Sequence, residues 1–337
     1  MNVKVEGMKT LCKKQKRERG VALVLTLLIL TILVVTGLEL NRAMRVEASL
    51  AGNFRDLTQA SYIAQSGVEI ARFLLTQDDL TYDGADERWA QFELLAHLSH
   101  QLFTDGYFTG RIVDESGKFN PNGIVTRYGT VDQKKKDQFE RLLMLLGHDP
   151  GAVDAVLDWL DPDELRRTQG AEREYYLLKK PPYVPKNGPL DSLGEMLLIK
   201  GITPEIFYGT DTKKALRDYL TVYSDSSADP RTIGIAPKIN INTASLQVLM
   251  SLFPKVDQGM AQAVLDNRRL KPFHKVEELR NIPGWNDIYP AISSEIDVRS
   301  NYFSLEITGI YHDARALIRA VVKREGSQTR IVFWRAS

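Results

Sequence analysis

The pattern of apolar and polar positions divides the start of the chain into two helical parts. Residues 21–38 carry no charged side chain, and all but three threonines and one glycine are apolar. From Val46 onward, apolar residues recur every three or four positions with polar residues mostly between them and no proline, which predicts an amphipathic helix. The two parts together predict one helix about 80 Å long. We expect it to span a membrane over 21–38 and to continue as an amphipathic helix over 39–75.

The charges before the apolar run indicate its orientation. Five basic residues and one glutamate lie at positions 13–19. Eighteen helical residues span about 27 Å, close to the hydrocarbon core of a bilayer, and positive charge keeps its flank in the cytoplasm. A secretory signal peptide and a buried core helix are the alternatives. The length of the run and the lack of a small-x-small cleavage pattern argue against the first, and the basic flank argues against the second.

The rest of the chain predicts an α+β fold. Residues 77–87 predict a loop, 89–103 a short helix and 106–114 a strand, whereas 124–291 has helical periodicity. We therefore expect a small antiparallel sheet, formed by residues 76–123 and 292–337, that packs on the long N-terminal helix. A helical insert, 124–291, interrupts this sheet. The C-terminal strand signals fall at 295–299, 302–309, 314–323 and 330–334.

Composition and charge exclude several classes of protein. With 43% hydrophobic, 26% charged and 9% aromatic residues, the chain is neither disordered, collagen-like nor a multi-span membrane protein. A net charge of +1 gives no global argument for nucleic acid or anionic lipid as a partner. Cys12 is the single cysteine, so no internal disulfide can form. Residues 1–20 alone carry a net charge of +5, which leaves −4 for the rest of the chain.

An acidic stretch in the insert is the main candidate for chemistry. Seven carboxylates and three arginines, Arg166, Arg167 and Arg173, lie between residues 154 and 174. Helical spacing places Asp154, Asp158 and Asp161 on one face, where like charges repel unless an arginine or a hard cation neutralises them. The residues alone leave three readings open: a solvated acidic face, a calcium site, and a paired-carboxylate hydrolase. The spacing excludes an EF-hand.

Other enzyme signatures are absent from the sequence. It contains no Gly-x-Ser-x-Gly, no His-Glu-x-x-His and no phosphate-binding glycine loop. The five histidines are scattered. His97 and His100 are three residues apart, as in a metal-binding pair, but without a partner carboxylate nearby they are predicted to lie on a helix surface. We therefore expect no enzymatic activity.

Residues 238–285 resemble the helix-hairpin-helix fold, a SAM-like unit whose hairpin amides hold a DNA phosphate. A functional hairpin needs glycines that expose those amides. Here the first hairpin has glycine only at Gly259, and in the second Gly284 is followed by the bulky Trp285. We expect the fold to be retained and nucleic acid not to be a partner, with a membrane-anchored DNA-binding or uptake protein as the alternative function. The basic residues that would then contact phosphate are Arg268, Arg269 and Lys271.

The N-terminal pattern resembles the type IV pilin and pseudopilin signature. Arg17-Glu18-Arg19-Gly20 precedes the apolar run that begins Val21-Ala22-Leu23-Val24-Leu25. The resemblance implies that residues 1–20 are a prepilin leader, that prepilin peptidase cuts between Gly20 and Val21, and that the new N-terminus is methylated. Members of this family usually have glutamate at the fifth position after the cut, where this chain has Leu25. That departure implies a subunit with none ahead of it, as at a filament tip.

Motifs in the insert and near the C-terminus resemble more specifically the large K-type minor pseudopilin of type II secretion. They include Leu157-Asp158-Trp159-Leu160-Asp161-Pro162-Asp163, Pro181-Pro182-Tyr183, Asn240-Ile241-Asn242-Thr243-Ala244 and Ser300-Asn301-Tyr302-Phe303. The resemblance implies a pilin-like sheet split by a large helical domain that binds calcium. The implied ligands are Asp158, Asp161, Asp163, Glu172 and Glu174. The implied contact face for partner helices consists of Leu25, Val46, Leu50, Phe54, Leu57, Ala64 and Val68.

These expectations combine into one function. The chain is predicted to be a non-enzymatic minor pseudopilin at the tip of the type II secretion pseudopilus, with roles in filament initiation, capping and protein export across the outer membrane. It would cross the inner membrane of a Gram-negative bacterium once, with a cytoplasmic N-terminus and a periplasmic body. Its expected partners are other minor pseudopilins of the tip complex, prepilin peptidase and the inner-membrane assembly platform, with secreted substrates as further candidates.

Overall fold

The computed structural model describes residues 3–126, 128–224 and 238–337, with side chains from Gly20 onward. Its longest element is helix α1, Val3–Thr76. The chain divides into two compact units, one of Met1–Gln59 with His312–Ala314 and one of Ala60–Tyr311 with Arg315–Ser337. In the first unit, His312 Nδ1 lies 3.2 Å from Asp56 Oδ2.

The second unit contains two sheets. The strands are β1 Gly106–Asp114, β2 Ile239–Asn240, β3 Ile296–Asp297, β4 Tyr302–Tyr311, β5 Ala314–Glu325 and β6 Gln328–Ala336. Four of them form one sheet in the order β1-β4-β5-β6. In it β1 runs antiparallel to β4, and β5 runs antiparallel to β6 with a bulge between Val321 and Val322. This is the predicted small antiparallel sheet, and each of its strands begins within two residues of the predicted run.

Residues 60–76 of α1 pack on this sheet because their apolar side chains recur on one face. Ala64, Val68, Ala71 and Leu75 are completely buried there, in one core with residues of β1, β4 and β5. The backbones meet at Gly309, where a Cβ atom would lie 2.0 Å from the carbonyl oxygen of Ala60. Glycine is therefore required at this position for the strand to approach the helix so closely.

The insert has its own core and is mostly helical. The remaining helices are α2 Phe92–His97, α3 Gln133–Leu145, α4 Ala152–Leu160, α5 Arg173–Leu177, α6 Pro204–Tyr208, α7 Leu246–Ser251, α8 Gln258–Leu270 and α9 Tyr289–Ile292. The core of α3 to α9 also takes in Phe119, Ile296 and Val298, so the insert reaches beyond the predicted range 124–291. The strand signal at 295–299 belongs to this insert, because β3 pairs in parallel with β2 and not with the larger sheet.

Candidate metal centre and partner surface

The acidic stretch folds around the C-terminal end of α4. Asp161 has extended backbone angles, as expected for a residue that precedes proline, and the helix therefore ends at Leu160. Arg167 Nη1 donates to Asp158 Oδ1 at 2.7 Å and to Asp161 Oδ2 at 2.5 Å. One arginine thus relieves the repulsion predicted between these two carboxylates. Burial still raises the pKa of both Asp158 and Asp161.

Three carboxylates converge beside this ion pair. One oxygen from each of Asp161, Asp163 and Glu172 lies within 4.8 Å of the other two. Neither oxygen of Glu172, which is 6% exposed, has a hydrogen-bond donor in the described part of the chain, and Asp161 Oδ1 also has none there. Burial, with the negative charges of Asp158 and Asp161, raises the pKa of Glu172 to about 8. Three oxygens buried without donors need a positive charge or a proton nearby.

The positions of these carboxylates fit one calcium ion held by three of the five predicted ligands. Calcium binds carboxylate oxygens at about 2.3–2.6 Å, so two ligands of one ion lie at most about 5 Å apart. Asp161, Asp163 and Glu172 satisfy this limit. Asp158 is held by Arg167 and lies outside this group, and Glu174 is exposed in the first turn of α5. The structure therefore brings together three of the five predicted residues.

A second acidic group lies at the loop predicted for residues 77–87, where no site was expected. One oxygen from each of Asp78, Asp83 and Glu87 lies within 4.8 Å of the other two. The signal in the sequence was the density of charge, since five carboxylates lie between residues 78 and 87.

The apolar part of α1 has the properties of a membrane-spanning helix. Within Gly20–Thr76, α1 is long and apolar enough to cross a bilayer, and its most apolar part is not buried against the rest of the chain. The hydroxyls of Thr26, Thr31 and Thr36 donate to backbone carbonyls three or four residues earlier. Their polar groups are therefore satisfied within the helix, as a lipid environment requires. Gly20 and Val21 both lie in this helix, with open space around Gly20.

The predicted partner face is partly exposed and partly buried. Leu25, Val46, Leu50, Phe54 and Leu57 are exposed, and Phe54 reaches 74%. Ala64 and Val68 are a correction to the prediction, because they are completely buried against the sheet. They lie on the same stripe of α1, but from Ala60 onward this stripe packs on the chain's own core. The available face is therefore limited to the more N-terminal residues.

The hairpin region uses its polar residues internally. Arg268 Nη1 donates to the carbonyl oxygens of Ile241 at 2.8 Å and Ala244 at 2.7 Å, and burial lowers the pKa of this arginine to about 10. Asn242 donates to the Phe273 carbonyl and accepts from its N–H, both at 2.8 Å. Of the three basic residues considered for phosphate contact, Arg268 is therefore unavailable, while Arg269 and Lys271 are exposed.

Comparison with known proteins identifies the family. Residues 117–225 and 239–299 match family models described as type II secretion system (T2SS), protein K, and residues 19–69 match a model described as PilX N-terminal. A protein of Pseudomonas aeruginosa named type II secretion system protein K is 31% identical over an alignment of 280 residues, and the match covers 78% of this chain and 76% of that protein. The chain belongs to the type II secretion system protein K family.

Further matches agree with this family over nearly the full length. The type II secretion system protein K of Aeromonas hydrophila is 27% identical over 95% of this chain and 97% of that protein. A chain in the solved GspK-GspI-GspJ complex from the type 2 secretion system of enterotoxigenic Escherichia coli has a TM-score of 0.64 at 17% identity. The match covers 87% of this chain and 99% of that one. The predicted α+β fold is confirmed.

The family settles the main functional question raised by the sequence. A member of the protein K family is a minor pseudopilin of type II secretion and a structural component of that system. None of these matches supports the alternative of a DNA-binding or DNA-uptake protein, and the inward orientation of Arg268 also speaks against it.

Proposed function

We propose that this minor pseudopilin caps the tip of the pseudopilus, without enzymatic activity, and initiates the filament together with other minor pseudopilins. The observation that carries the proposal is the exposed apolar face of α1. Val46, Leu50, Phe54 and Leu57 remain exposed, whereas from Ala60 onward the apolar face of the same helix packs on the chain's own sheet. Such a face is stabilised by burial against the helices of other subunits. The solved complex that this fold resembles is named for three components, GspK, GspI and GspJ, which supports two partner subunits.

The proposal places the body in the periplasm and the N-terminus in the cytoplasm. The basic residues before Gly20 support this orientation. Leu25, where related pilins usually have glutamate, supports a position with no subunit ahead. The helical insert, which is larger than the sheet it interrupts, supports steric capping of the filament and offers a surface for secreted substrate or the outer-membrane channel. Prepilin peptidase and the inner-membrane assembly platform are the further proposed partners.

Co-purification tests the tip assignment. The full chain, extracted in detergent, should co-purify with the other minor pseudopilins of its own secretion system. We expect Phe54→Asp to abolish this association, because it places a charge in the centre of the apolar face. Asn53→Asp, an adjacent exposed position on the same helix, should have no effect. Equal association of the parent chain and Phe54→Asp would contradict the proposed contact face.

We also propose that Asp161, Asp163 and Glu172 hold a calcium ion that stabilises the insert. Arg167 neutralises Asp158 and only one oxygen of Asp161. The ion would neutralise the other oxygen of Asp161, together with Asp163 and Glu172. Added calcium should raise the melting temperature of the full chain in detergent, and the double substitution Asp161→Asn/Glu172→Gln should reduce this rise. Asp191→Asn, at an exposed carboxylate of the insert, is the matched control. No shift in the parent chain would exclude the ion.

A further inference from the structure

The loop that follows α1 concentrates negative charge. Five carboxylates lie in the ten residues from 78 to 87, and the next basic residue is Arg88. Asp79 and Asp86 are exposed, whereas Asp83 is completely buried and Glu87 is 8% exposed. The side chain of Asp78 is also 8% exposed. The loop therefore directs three of its carboxylates into the protein.

One guanidinium faces these three carboxylates in the described part of the chain. Arg324, in β5, donates from Nη2 to both oxygens of Asp83 at 2.6 Å, and from Nη1 to Asp78 Oδ2 at 3.2 Å. Glu87 Oε2 accepts from the Gly84 N–H and from Trp89 Nε1, both at 2.9 Å. Arg324 therefore balances one of the three negative charges.

The other oxygen of Glu87 is the observation that points to a ligand. Glu87 Oε1 is buried and has no hydrogen-bond donor in the described residues. Three carboxylate oxygens lie within 4.8 Å of one another, which is the spacing that ligands of one calcium ion adopt. Burial, together with the neighbouring carboxyl of Asp78, raises the pKa of Glu87 to about 9.

We propose that Asp78, Asp83 and Glu87 form a second divalent-cation site that takes calcium, separate from Asp161, Asp163 and Glu172. Hard cations prefer carboxylate oxygens, and Asp79 and Asp86 add negative charge that attracts a cation to this loop. A bound ion would cross-link Asp78, two residues after the end of α1, to Glu87 and, through Asp83 and Arg324, to strand β5. The alternative is a single proton held between Asp78 and Glu87, and the experiment below distinguishes the two.

Terbium luminescence excited through tryptophan provides the test. Trp89 Nε1 donates a hydrogen bond to Glu87 Oε2, so this tryptophan lies beside the proposed ion. The full chain in detergent would carry Asp161→Asn and Glu172→Gln, so that the other candidate site is silenced. We expect this chain to bind one terbium ion, to emit on tryptophan excitation, and to lose the emission when calcium displaces terbium. Adding Glu87→Gln should abolish the emission. Adding Asp191→Asn, at an exposed carboxylate of the insert, should leave it unchanged.

Glutamine at position 87 reproduces the shape of a protonated glutamate, so this variant should fold in either case, and circular dichroism would check that it does. If it does not fold, Asp78→Asn replaces it. If the chain with Asp161→Asn and Glu172→Gln binds no terbium, the proposal is overturned in favour of a proton shared between Asp78 and Glu87. Emission that persists in both the Glu87→Gln and the Asp78→Asn chains would also overturn it, by assigning the ion to other residues.

Discussion

Asn240 Nδ2 donates a hydrogen bond of 3.1 Å to Asp114 Oδ2, although 126 residues separate the two in the chain. Asp114 ends strand β1 of the larger sheet, and Asn240 lies in β2 of the insert. The same oxygen accepts from Ser300 Oγ at 2.6 Å and from Thr243 Oγ1 at 2.5 Å. One buried carboxylate therefore joins the insert to the sheet that it interrupts.

We expect Asp114→Ala to lower the free energy of unfolding by about 3 kcal/mol. The substitution removes the acceptor of hydrogen bonds from the Ser300 and Thr243 hydroxyls and from the Ser116 N–H, each at a cost of about 1 kcal/mol or more. Denaturant unfolding of the full chain in detergent, followed by circular dichroism, measures the change. Glu306→Ala is the matched control, because Glu306 pairs with Arg111 and Arg319 at exposed positions, where ion pairs contribute less than about 1 kcal/mol. Equal losses in the two variants would contradict the role of Asp114.

The larger elements could be predicted from local sequence patterns, whereas the hydrogen bonds that join Asp114 to the insert could not. Strands β4 to β6 and the long helix were predicted because alternation and helical spacing are properties of neighbouring residues. The partners of Asp114 lie 126, 129 and 186 residues away, so no local periodicity connects them. The motif that contains Asn240 and Thr243 was recognised by its resemblance to a family, but its structural role became visible only in the folded chain.

The acidic site was predictable to a similar degree. Helical spacing correctly placed Asp158 and Asp161 together and called for a neutralising group, which is Arg167. The spacing did not reveal that Asp158 pairs with Arg167 and is not one of the three clustered carboxylates, Asp161, Asp163 and Glu172. It also did not reveal that Glu174 lies at the surface. Val68 shows the same limit on α1, since one apolar stripe is exposed at Phe54 and packs on the chain's own core from Ala60 onward.

Gly170→Ala should destabilise the acidic site. A Cβ atom at this position would lie 1.8 Å from Asp158 Oδ2, so the carboxylate that Arg167 holds must move. We expect the free energy of unfolding to fall by about 2 kcal/mol, as for other overpacked positions. Gly188→Ala should change it by less than about 0.5 kcal/mol, because the nearest atom is 3.9 Å from its added Cβ. The same unfolding experiment compares the two, and similar losses would show that the contact with Asp158 is unimportant.

Stability in the presence of a chelator should fall as the pH rises from about 5 to 8. The pKa of Glu172 is raised to about 8 in the folded chain from 4.5, so across this range the folded state retains a proton that the unfolded state has lost. Folding is then progressively disfavoured with increasing pH. Melting temperatures measured across this range should show the decline, and Glu172→Gln should reduce its slope by remaining uncharged. Part of the decline should remain, because the pKa of Glu87 is also raised. A decline of the same slope in Glu172→Gln would assign it to another group.

Calcium should act in the opposite direction over the same range. Binding requires the deprotonated carboxylate, so the rise in melting temperature caused by calcium should be larger at pH 8 than at pH 5. A rise that is independent of pH would indicate that the ion does not replace a proton on Glu172.

Gly20→Trp should leave the chain uncut by prepilin peptidase. If the enzyme cuts between Gly20 and Val21, the residue before the cut must be small enough for its active site, and tryptophan is the largest replacement. Co-expression of chain and peptidase, followed by mass spectrometry, should find the parent chain shortened by its first 20 residues and methylated at Val21, and the variant intact. Gly37→Trp changes another glycine of α1 that has open space around it, and this chain should be cut normally. Normal removal of the leader from Gly20→Trp would exclude this cleavage site and, with it, the assignment of residues 1–20 as a prepilin leader.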